Sequence, residues 1–242
     1  MNLVSYLENP DNWNGPGNIA SLLAQHLGYT AAAVLLAAII AIPLGILLGH
    51  TGRGTFLVIG LANGARAIPT LGVLFLAVML LGTGALNVVV VLAILALPPV
   101  LTATSAGVRG ADRDAVHAAR ALGMTGGQIV SKVELPLALP RIISGLRRAT
   151  LQVVATATVA AFASAGGLGR LLTRGQQQND YPQMFAGALL VALLAVTLDL
   201  LLGLIGWLAA RRIRPRSTAA ALLASATYAD ASRGGFTPEE AQ

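Results

Sequence analysis

Long apolar stretches constrain the fold of this sequence more than any other feature. Five of them reach the length of about 20 residues that a helix needs to cross the roughly 30 Å hydrocarbon layer of a bilayer. They lie at residues 27–49, 56–81, 85–107, 142–165 and 184–208. The alternating ten-residue segments of a membrane barrel are not visible. Because only helices and closed barrels satisfy every backbone polar group in lipid, the sequence predicts an all-α, polytopic membrane bundle of about five transmembrane helices.

The composition excludes a soluble globular fold. Only 11% of the 242 residues are charged, whereas soluble domains carry about 25%. The absence of cysteine excludes disulfides, thiolate metal sites and cysteine nucleophiles. The net charge of +6 is interpreted as a signal of membrane topology. No nucleic acid is expected as a partner, since no nucleic-acid-binding motif surrounds the basic residues.

Basic residues are distributed unequally between the two sides of the predicted bundle. Arg53, five residues of segment 108–141 and four arginines after the last span lie on one side. The opposite side carries only Arg170 and Arg174. The positive-inside rule then places the N-terminus outside, and segment 108–141 and the C-terminus in the cytoplasm.

Three regions follow from this topology. Residues 1–18 are polar and lack Lys and Arg, so we predict an extracytoplasmic segment that is not a secretory signal. Residues 19–210 are predicted to form the transmembrane domain, in which 19–26 lies at the interface or extends the first helix. Residues 211–242 are expected to form a mobile cytoplasmic tail, because they are rich in small and polar residues.

Segment 108–141, called the insert below, is the least apolar part of the middle of the chain. Asp112 or Asp114 can cap a first short helix there. One face of that helix would be apolar, with Ala115, Val116, Ala119 and Leu122. Such an exposed, amphipathic helix favours docking into a groove of another protein. The alternative is an ordinary loop that packs on its own bundle.

Glycines and a proline divide the rest of the insert. Gly123 permits the left-handed residue that ends a helix, and Gly126-Gly127 predicts a turn. A second short helix at about 127–134 is expected to run into Pro136, which prevents continuation without a kink.

The insert resembles the EAA motif of ABC-importer permeases. That motif has Glu-Ala-Ala, three residues, Gly, nine residues, Ile, any residue and Leu-Pro. The same spacing is kept here by His117-Ala118-Ala119, Leu122-Gly123 and Val133-Glu134-Leu135-Pro136. The two departures are His117 in place of Glu and Val133 in place of Ile.

Further segments are similar to the permeases for glycine betaine, choline and carnitine, and the likeness extends over about residues 20–210. They are Ala67-Ile68-Pro69-Thr70-Leu71, Gly123-Met124-Thr125, Leu135-Pro136-Leu137-Ala138-Leu139-Pro140 and Gly166-Gly167-Leu168-Gly169. The resemblance implies the type I ABC-importer permease fold and the transport of a quaternary-ammonium osmoprotectant by alternating access. The cargo alternative is another small, amino-acid-like solute. An ion-coupled secondary transporter is the alternative of another class, although the inverted repeat it should show is not found.

The resemblance also implies partners and a location in the bacterial plasma membrane, surrounded by lipid. A cytoplasmic ABC ATPase would bind ATP and Mg, an extracytoplasmic protein would bind the substrate, and a second or homologous permease would complete the pair. The only lysine, Lys132, does not belong to a phosphate-binding loop. We therefore expect no cofactor on this chain and no enzymatic activity. The residues implied in ATPase coupling are His117, Ala118, Ala119, Leu122, Gly123, Val133, Leu135 and Pro136, and Asp114 is hypothesised to supply the negative charge that His117 lacks.

Candidates for the translocation pathway or gate come from inside the spans. Arg66 and Asp199 are expected to lie at similar depth, where charge is costly. One prediction is that they form an ion pair with each other. A second is that Arg66 lines a water-filled pathway. A third is that Arg66 extends its guanidinium group to the membrane surface and Asp199 is hydrogen-bonded, with no functional role for either. Pro69 and Thr70 mark a break in the second span, which lines a pathway or only improves packing. The resemblance places Gly166, Gly167 and Gly169 near the external gate.

No catalytic or metal-binding constellation is visible in the sequence. The histidines are His26, His50 and His117, which lack the spacing of metal ligands and are expected to be solvated or interfacial. The few aromatic residues of the spans are scattered, whereas a quaternary ammonium favours a cage of aromatic rings. High-affinity capture is therefore expected on the external binding protein.

Overall fold

Helices make up the secondary structure of the computed structural model, which describes residues 3–54, 56, 58, 60, 64, 69–82, 84–163 and 166–213. We number them α1 (Leu3–Glu8), α2 (Ile19–Thr51), α3 (Thr70–Leu81), α4 (Ala85–Arg109), α5 (Arg113–Ala121), α6 (Gly126–Ile129), α7 (Leu135–Ala160), α8 (Gly169–Gln178) and α9 (Tyr181–Ile213). Short 3-10 turns occupy Pro10–Asn12 and Ala161–Ala163, and a π-helical turn at Val130–Glu134 joins α6 to α7. Within these ranges there is no strand, and the predicted all-α class is confirmed.

Three helices of the described ranges are long and apolar enough to cross a membrane, namely α2, α4 and α9. They correspond to the predicted spans 27–49, 85–107 and 184–208. Because α2 begins at Ile19, the short segment before the first predicted span extends that helix.

The other two predicted spans agree less closely with the helices. The predicted span 142–165 is displaced towards the C-terminus, since the corresponding helix, α7, begins at Leu135 and ends at Ala160. Of the predicted span 56–81, most of the first half lies outside the described residues, and the second half contains α3. The tail beyond residue 213 also lies outside them.

Small side chains bring α2 and α4 into close contact. Every fourth residue along one face of α2 is small and buried, a stripe formed by Ala33, Ala37, Ala41, Gly45 and Gly49. A Cβ atom on Gly45 would lie 2.6 Å from Cβ of Thr104, and one on Gly49 would lie 2.7 Å from Cβ of Val108. Lipid gives no hydrophobic drive for helix association, so membrane helices depend on such close backbone approach.

A central apolar cluster joins α2 and α4 to α3 and α7, with Leu92, Val100 and Val153 fully buried in it. At the N-terminal end of the bundle, a second cluster joins α1 and the start of α2 to α7, α8 and α9. The segment after the fourth predicted span contains α8. The insert lies at the opposite end of the bundle, beside the C-terminal end of α2.

Candidate functional site

The first half of the insert has the predicted pair of short helices, α5 and α6, with a glycine between them. Asp112, of the two candidates, is the cap of α5, because its side chain accepts a hydrogen bond from the backbone N–H of Asp114 at 2.9 Å. Gly123 ends the helix with a φ of +77°, and the N–H of Met124 donates to the carbonyl of Ala119 at 3.1 Å. A left-handed residue at this position favours glycine.

The second half of the insert differs from the prediction. Gly126 and Gly127 do not form a turn; they begin α6, which Thr125 and Gln128 cap reciprocally. The predicted helix at 127–134 is divided into α6 and the π turn, which continues without a break into α7. Pro136 is the second residue of α7, directly after the π turn, so the helical chain continues past the proline through an irregular turn. The insert is therefore continuous with a helix of the bundle.

The exposed face of α5 is partly apolar. Asp114, Ala118 and Leu122 follow one another at intervals of four residues and are all exposed, so they share one side of the helix. Leu122 is 82% exposed, whereas Ala119, which was predicted on the same apolar face, is buried. The predicted apolar face is therefore divided between the core and the surface.

A hydrogen bond joins the insert to the end of α2. Glu134, in the π turn, is only 6% exposed, and its Oε2 lies 2.7 Å from Nδ1 of His50. His50 belongs to the last turn of α2 and is partly exposed, so the expectation of a solvated or interfacial side chain stays a prediction. The sequence carries no signal for this pair, because Glu134 occupies the position where the motif accepts any residue.

His117, the first residue of the motif, lines a cleft of about 380 Å³. The cleft lies between α5 and the ends of α2 and α4. Arg113 and Arg120 share its lining with His117, which fits their spacing along one side of the helix. The helix therefore presents a basic side to the cleft and a partly apolar side to the surroundings. Val133, Leu135 and Pro136 are partly buried at the base of the insert.

Asp199 pairs with an arginine that the sequence analysis passed over. Both carboxylate oxygens of Asp199 accept hydrogen bonds from Arg147, through Nε and Nη2, and so connect α9 to α7. Arg147 and Arg148 lie in α7, so the ionisable residues inside the spans are not limited to Arg66 and Asp199. Arg66 lies outside the described residues, and its pairing with Asp199 stays a prediction.

The predicted break in the second span falls where α3 begins. Pro69 is the N-cap of α3, with φ −66° and ψ 111°, so the backbone is extended at this residue. Pro69 is exposed, and the side chain of Thr70 lies outside the described residues. Whether these residues line a pathway stays a prediction.

The glycine segment 166–169 is anchored to the start of α2. The N–H of Gly167 donates to Gln25 Oε1 at 3.3 Å, and the N–H of Leu168 donates to His26 Nδ1 at 3.3 Å. Gly167 has a φ of +83°, and a Cβ atom on Gly169 would collide with the carbonyl of Thr158.

His26 itself is fully buried, so the expectation of a solvated or interfacial side chain is wrong. Its Nε2 lies 3.2 Å from the carbonyl oxygen of Val154, and it donates to this oxygen because Nδ1 acts as an acceptor. In the described part of the chain no three His, Asp or Glu side chains are grouped so that they could hold a metal ion.

Comparison with known proteins gives a consistent picture. Residues 41–215 match the family described as "Binding-protein-dependent transport system inner membrane component". The chain is 35% identical over 179 residues to the carnitine transport permease protein OpuCB of Listeria monocytogenes, which covers 74% of this chain and 82% of that protein. It is 37% identical over 191 residues to the osmoprotectant import permease protein OsmW of Salmonella typhimurium, covering 77% and 89%.

Solved structures show the same fold. The chain resembles a chain of the MetNI methionine ABC transporter in an inward-facing conformation, with a TM-score of 0.69 and 23% sequence identity. The superposition covers 79% of this chain and 94% of that chain. At this identity the likeness establishes the architecture alone.

A double-mutant cycle tests the hydrogen bond between His50 and Glu134, which joins α2 to the insert. We expect His50→Ala and Glu134→Gln to be non-additive by about 1 kcal/mol in the free energy of unfolding, because residues in direct contact couple by roughly 0.5–3 kcal/mol. The measurement is SDS-induced unfolding in mixed micelles. The control cycle combines His50→Ala with Arg170→Gln at the other end of the bundle and should be additive within about 0.5 kcal/mol. Additivity in the first cycle would show that the contact contributes nothing.

Proposed function

This chain belongs to the binding-protein-dependent transport system inner membrane components, and we propose that it is the permease subunit that imports a quaternary-ammonium osmoprotectant. The observation that carries the cargo is the set of relatives, which are permeases for carnitine, for glycine betaine, carnitine and choline, and for osmoprotectants. The family as a whole works with an ATPase and a substrate-binding protein. We assign ATP and Mg binding to that separate ATPase, because this chain lacks a phosphate-binding loop.

The insert is proposed as the element that couples the permease to the ATPase. Its exposed side, with Ala118 and Leu122, supplies apolar contact area for a groove in the partner. Two connections support a role in transmitting motion. The π turn leads directly into α7, and the pair of His50 with Glu134 fixes the same turn to the end of α2. A displacement of α5 would therefore act on two helices of the bundle.

Asp114 is proposed to replace the missing glutamate of the motif. It lies in the first turn of α5 and on the same exposed side as Leu122. His117 lines the cleft instead. A basic residue of the ATPase would then pair with Asp114 rather than with the residue at the start of the motif.

The pair of Arg147 with Asp199 and the segment 166–169 are assigned different roles. The ion pair connects α7 to α9 and is proposed to hold these helices together as the transporter changes conformation, because a lone charge in a span is costly. The glycine segment lies at the end of the bundle opposite the insert, which supports its proposed location near the external gate. Arg66, Pro69 and Thr70 remain proposed components of the pathway.

Uptake by the reconstituted importer tests the function. The chain, with its ATPase and binding protein in proteoliposomes, should take up labelled glycine betaine only when ATP is supplied. Excess choline or carnitine should compete, and methionine should not. ATP-driven uptake without this competition would reject the cargo and keep the importer class. Uptake by the chain alone, driven by an ion gradient, would reject the importer class.

Single cysteines test the proposed orientation, with the N-terminus outside and the insert in the cytoplasm. The absence of native cysteine removes background labelling. Gly127→Cys probes the insert at an exposed position with open space around it. Gln178→Cys probes the opposite end at an exposed residue of α8. In intact cells an impermeant maleimide should label only Gln178→Cys, and labelling of both variants from one side contradicts the topology.

Substitution at the tip of α5 tests the coupling role. Leu122→Asp should lower ATP-driven uptake by about tenfold or more, the size expected for loss of an apolar anchor of an interface. Its unfolding temperature should not change, because Leu122 is 82% exposed. Ser131→Asp adds the same charge to the other half of the insert and is the matched control. Asp114→Arg should also lower uptake, whereas normal uptake by Leu122→Asp removes the proposed docking face.

A further inference from the structure

The cleft beside α5 has an unusual concentration of basic side chains. It has a volume of about 380 Å³ and lies between α5, the end of α2 and the end of α4. Its lining contains three arginines, two histidines and one acidic residue: Arg109, Arg113, Arg120, His50, His117 and Glu134.

Two arginines of this lining, Arg113 and Arg120, have no counter-charge bound to them among the described residues. A guanidinium group is a cation in proteins, with five N–H donors and no acceptor. The one carboxylate, Glu134, already bonds His50 at 2.7 Å. Arg113 and Arg120 have no hydrogen-bond or ion-pair partner in the part of the chain that the structure describes. Like charges gathered around a small space repel one another unless an anion lies between them.

The basic residues of α5 are grouped on one side of the helix. Arg113, His117 and Arg120 line the cleft and are exposed, so solutes can reach them there. Asp114, Ala118 and Leu122 lie outside that lining. The basic side chains therefore border a concave space that an anion can enter.

The geometry points to a phosphate-binding site: we propose that this cleft binds a phosphate group from the headgroup of an anionic lipid or from a soluble phosphate compound. Guanidinium groups match phosphate oxygens in paired hydrogen bonds. The cleft lies at the ends of α2 and α4, two helices that are long and apolar enough to cross a membrane, so a bilayer around them would bring its headgroup phosphates close to the cleft. A phosphate there lies between α5 and two helices of the bundle, so its binding links the insert to the spans.

The source of the phosphate depends on the proposed function, whereas the chemistry of the site does not. With the insert in the cytoplasm, the lipid would come from the inner leaflet, which attracts basic segments near the membrane by about 1 kcal/mol for each Lys or Arg. Binding is measured directly, without transport. A failed uptake experiment therefore leaves the site standing, and absent binding leaves the importer class standing.

Calorimetric titration of the purified importer complex in neutral detergent tests the site. The probes are dioctanoyl phosphatidylglycerol and inorganic phosphate, with dioctanoyl phosphatidylcholine as the headgroup without net charge. The double variant Arg113→Gln with Arg120→Gln should weaken binding of the anionic probe by roughly tenfold or more. The matched control, Arg53→Gln with Lys132→Gln, removes two charges from exposed residues of the same end that do not line the cleft. It should change the affinity by about twofold or less.

A variant that keeps the positive charge distinguishes a specific phosphate site from attraction by the net charge of the surface. Arg113→Lys with Arg120→Lys should bind the probe with intermediate affinity, because lysine keeps the charge and loses the paired geometry. Binding of phosphatidylglycerol alone identifies a lipid site, and binding of both probes identifies one open to soluble phosphate.

Three results would overturn the proposal. The first is the absence of binding of either probe, and the second is an equal loss of affinity in the cleft variant and its matched control. The third is that the double variant Arg113→Gln with Arg120→Gln binds the probe with unchanged affinity but no longer binds the ATPase. That result would assign the two arginines to a contact with the ATPase.

Discussion

The close contact between α2 and α4 is the constraint on which the rest of the structure depends. Helices in lipid gain little from burying apolar side chains against each other, so their association relies on van der Waals contact and close approach. Gly45 and Gly49 permit that approach, since a Cβ atom on either would lie within 2.7 Å of an atom of α4. The contact continues to the last turn of α2, directly before His50. The ends of both helices are thereby fixed beside the insert.

The insert is attached to this framework at two points of different character. One is the chain itself, because the π turn continues directly into α7 and past Pro136. The other is the pair of His50 with Glu134, which involves a nearly buried carboxylate. By contrast, α5 is connected to α6 by the left-handed glycine at Gly123. A rigid base with a turn near its tip suits an element that must transmit a displacement and still fit a groove in a partner.

Patterns of neighbouring residues predicted the helices of the fold. They did not predict contacts between residues that are distant in the sequence. Hydropathy identified the spans, and Gly123 with the aspartate cap identified the first helix of the insert. The bonds of Asp199 to Arg147 were missed because the sequence does not show which faces of α7 and α9 meet. Glu134 was missed for a related reason, since its partner is 84 positions away. The apolar face predicted for α5 is divided by burial, since Ala119 is buried and Leu122 is 82% exposed, and the sequence does not show which part of a surface helix the bundle covers.

The two sides of α5 also give a physical meaning to the departure from the family motif. The motif begins with a glutamate, and here that position is His117, which lines the basic cleft with Arg113 and Arg120. A glutamate at this position would place a second carboxylate in the cleft and neutralise one of its arginines. Histidine adds no carboxylate to the cleft, while Asp114 provides a negative charge outside its lining. The substitution and the neighbouring aspartate thus keep the acidic side chain of α5 away from the basic ones in the cleft. The proposed anion site and the proposed contact of Asp114 with a basic partner both depend on this separation.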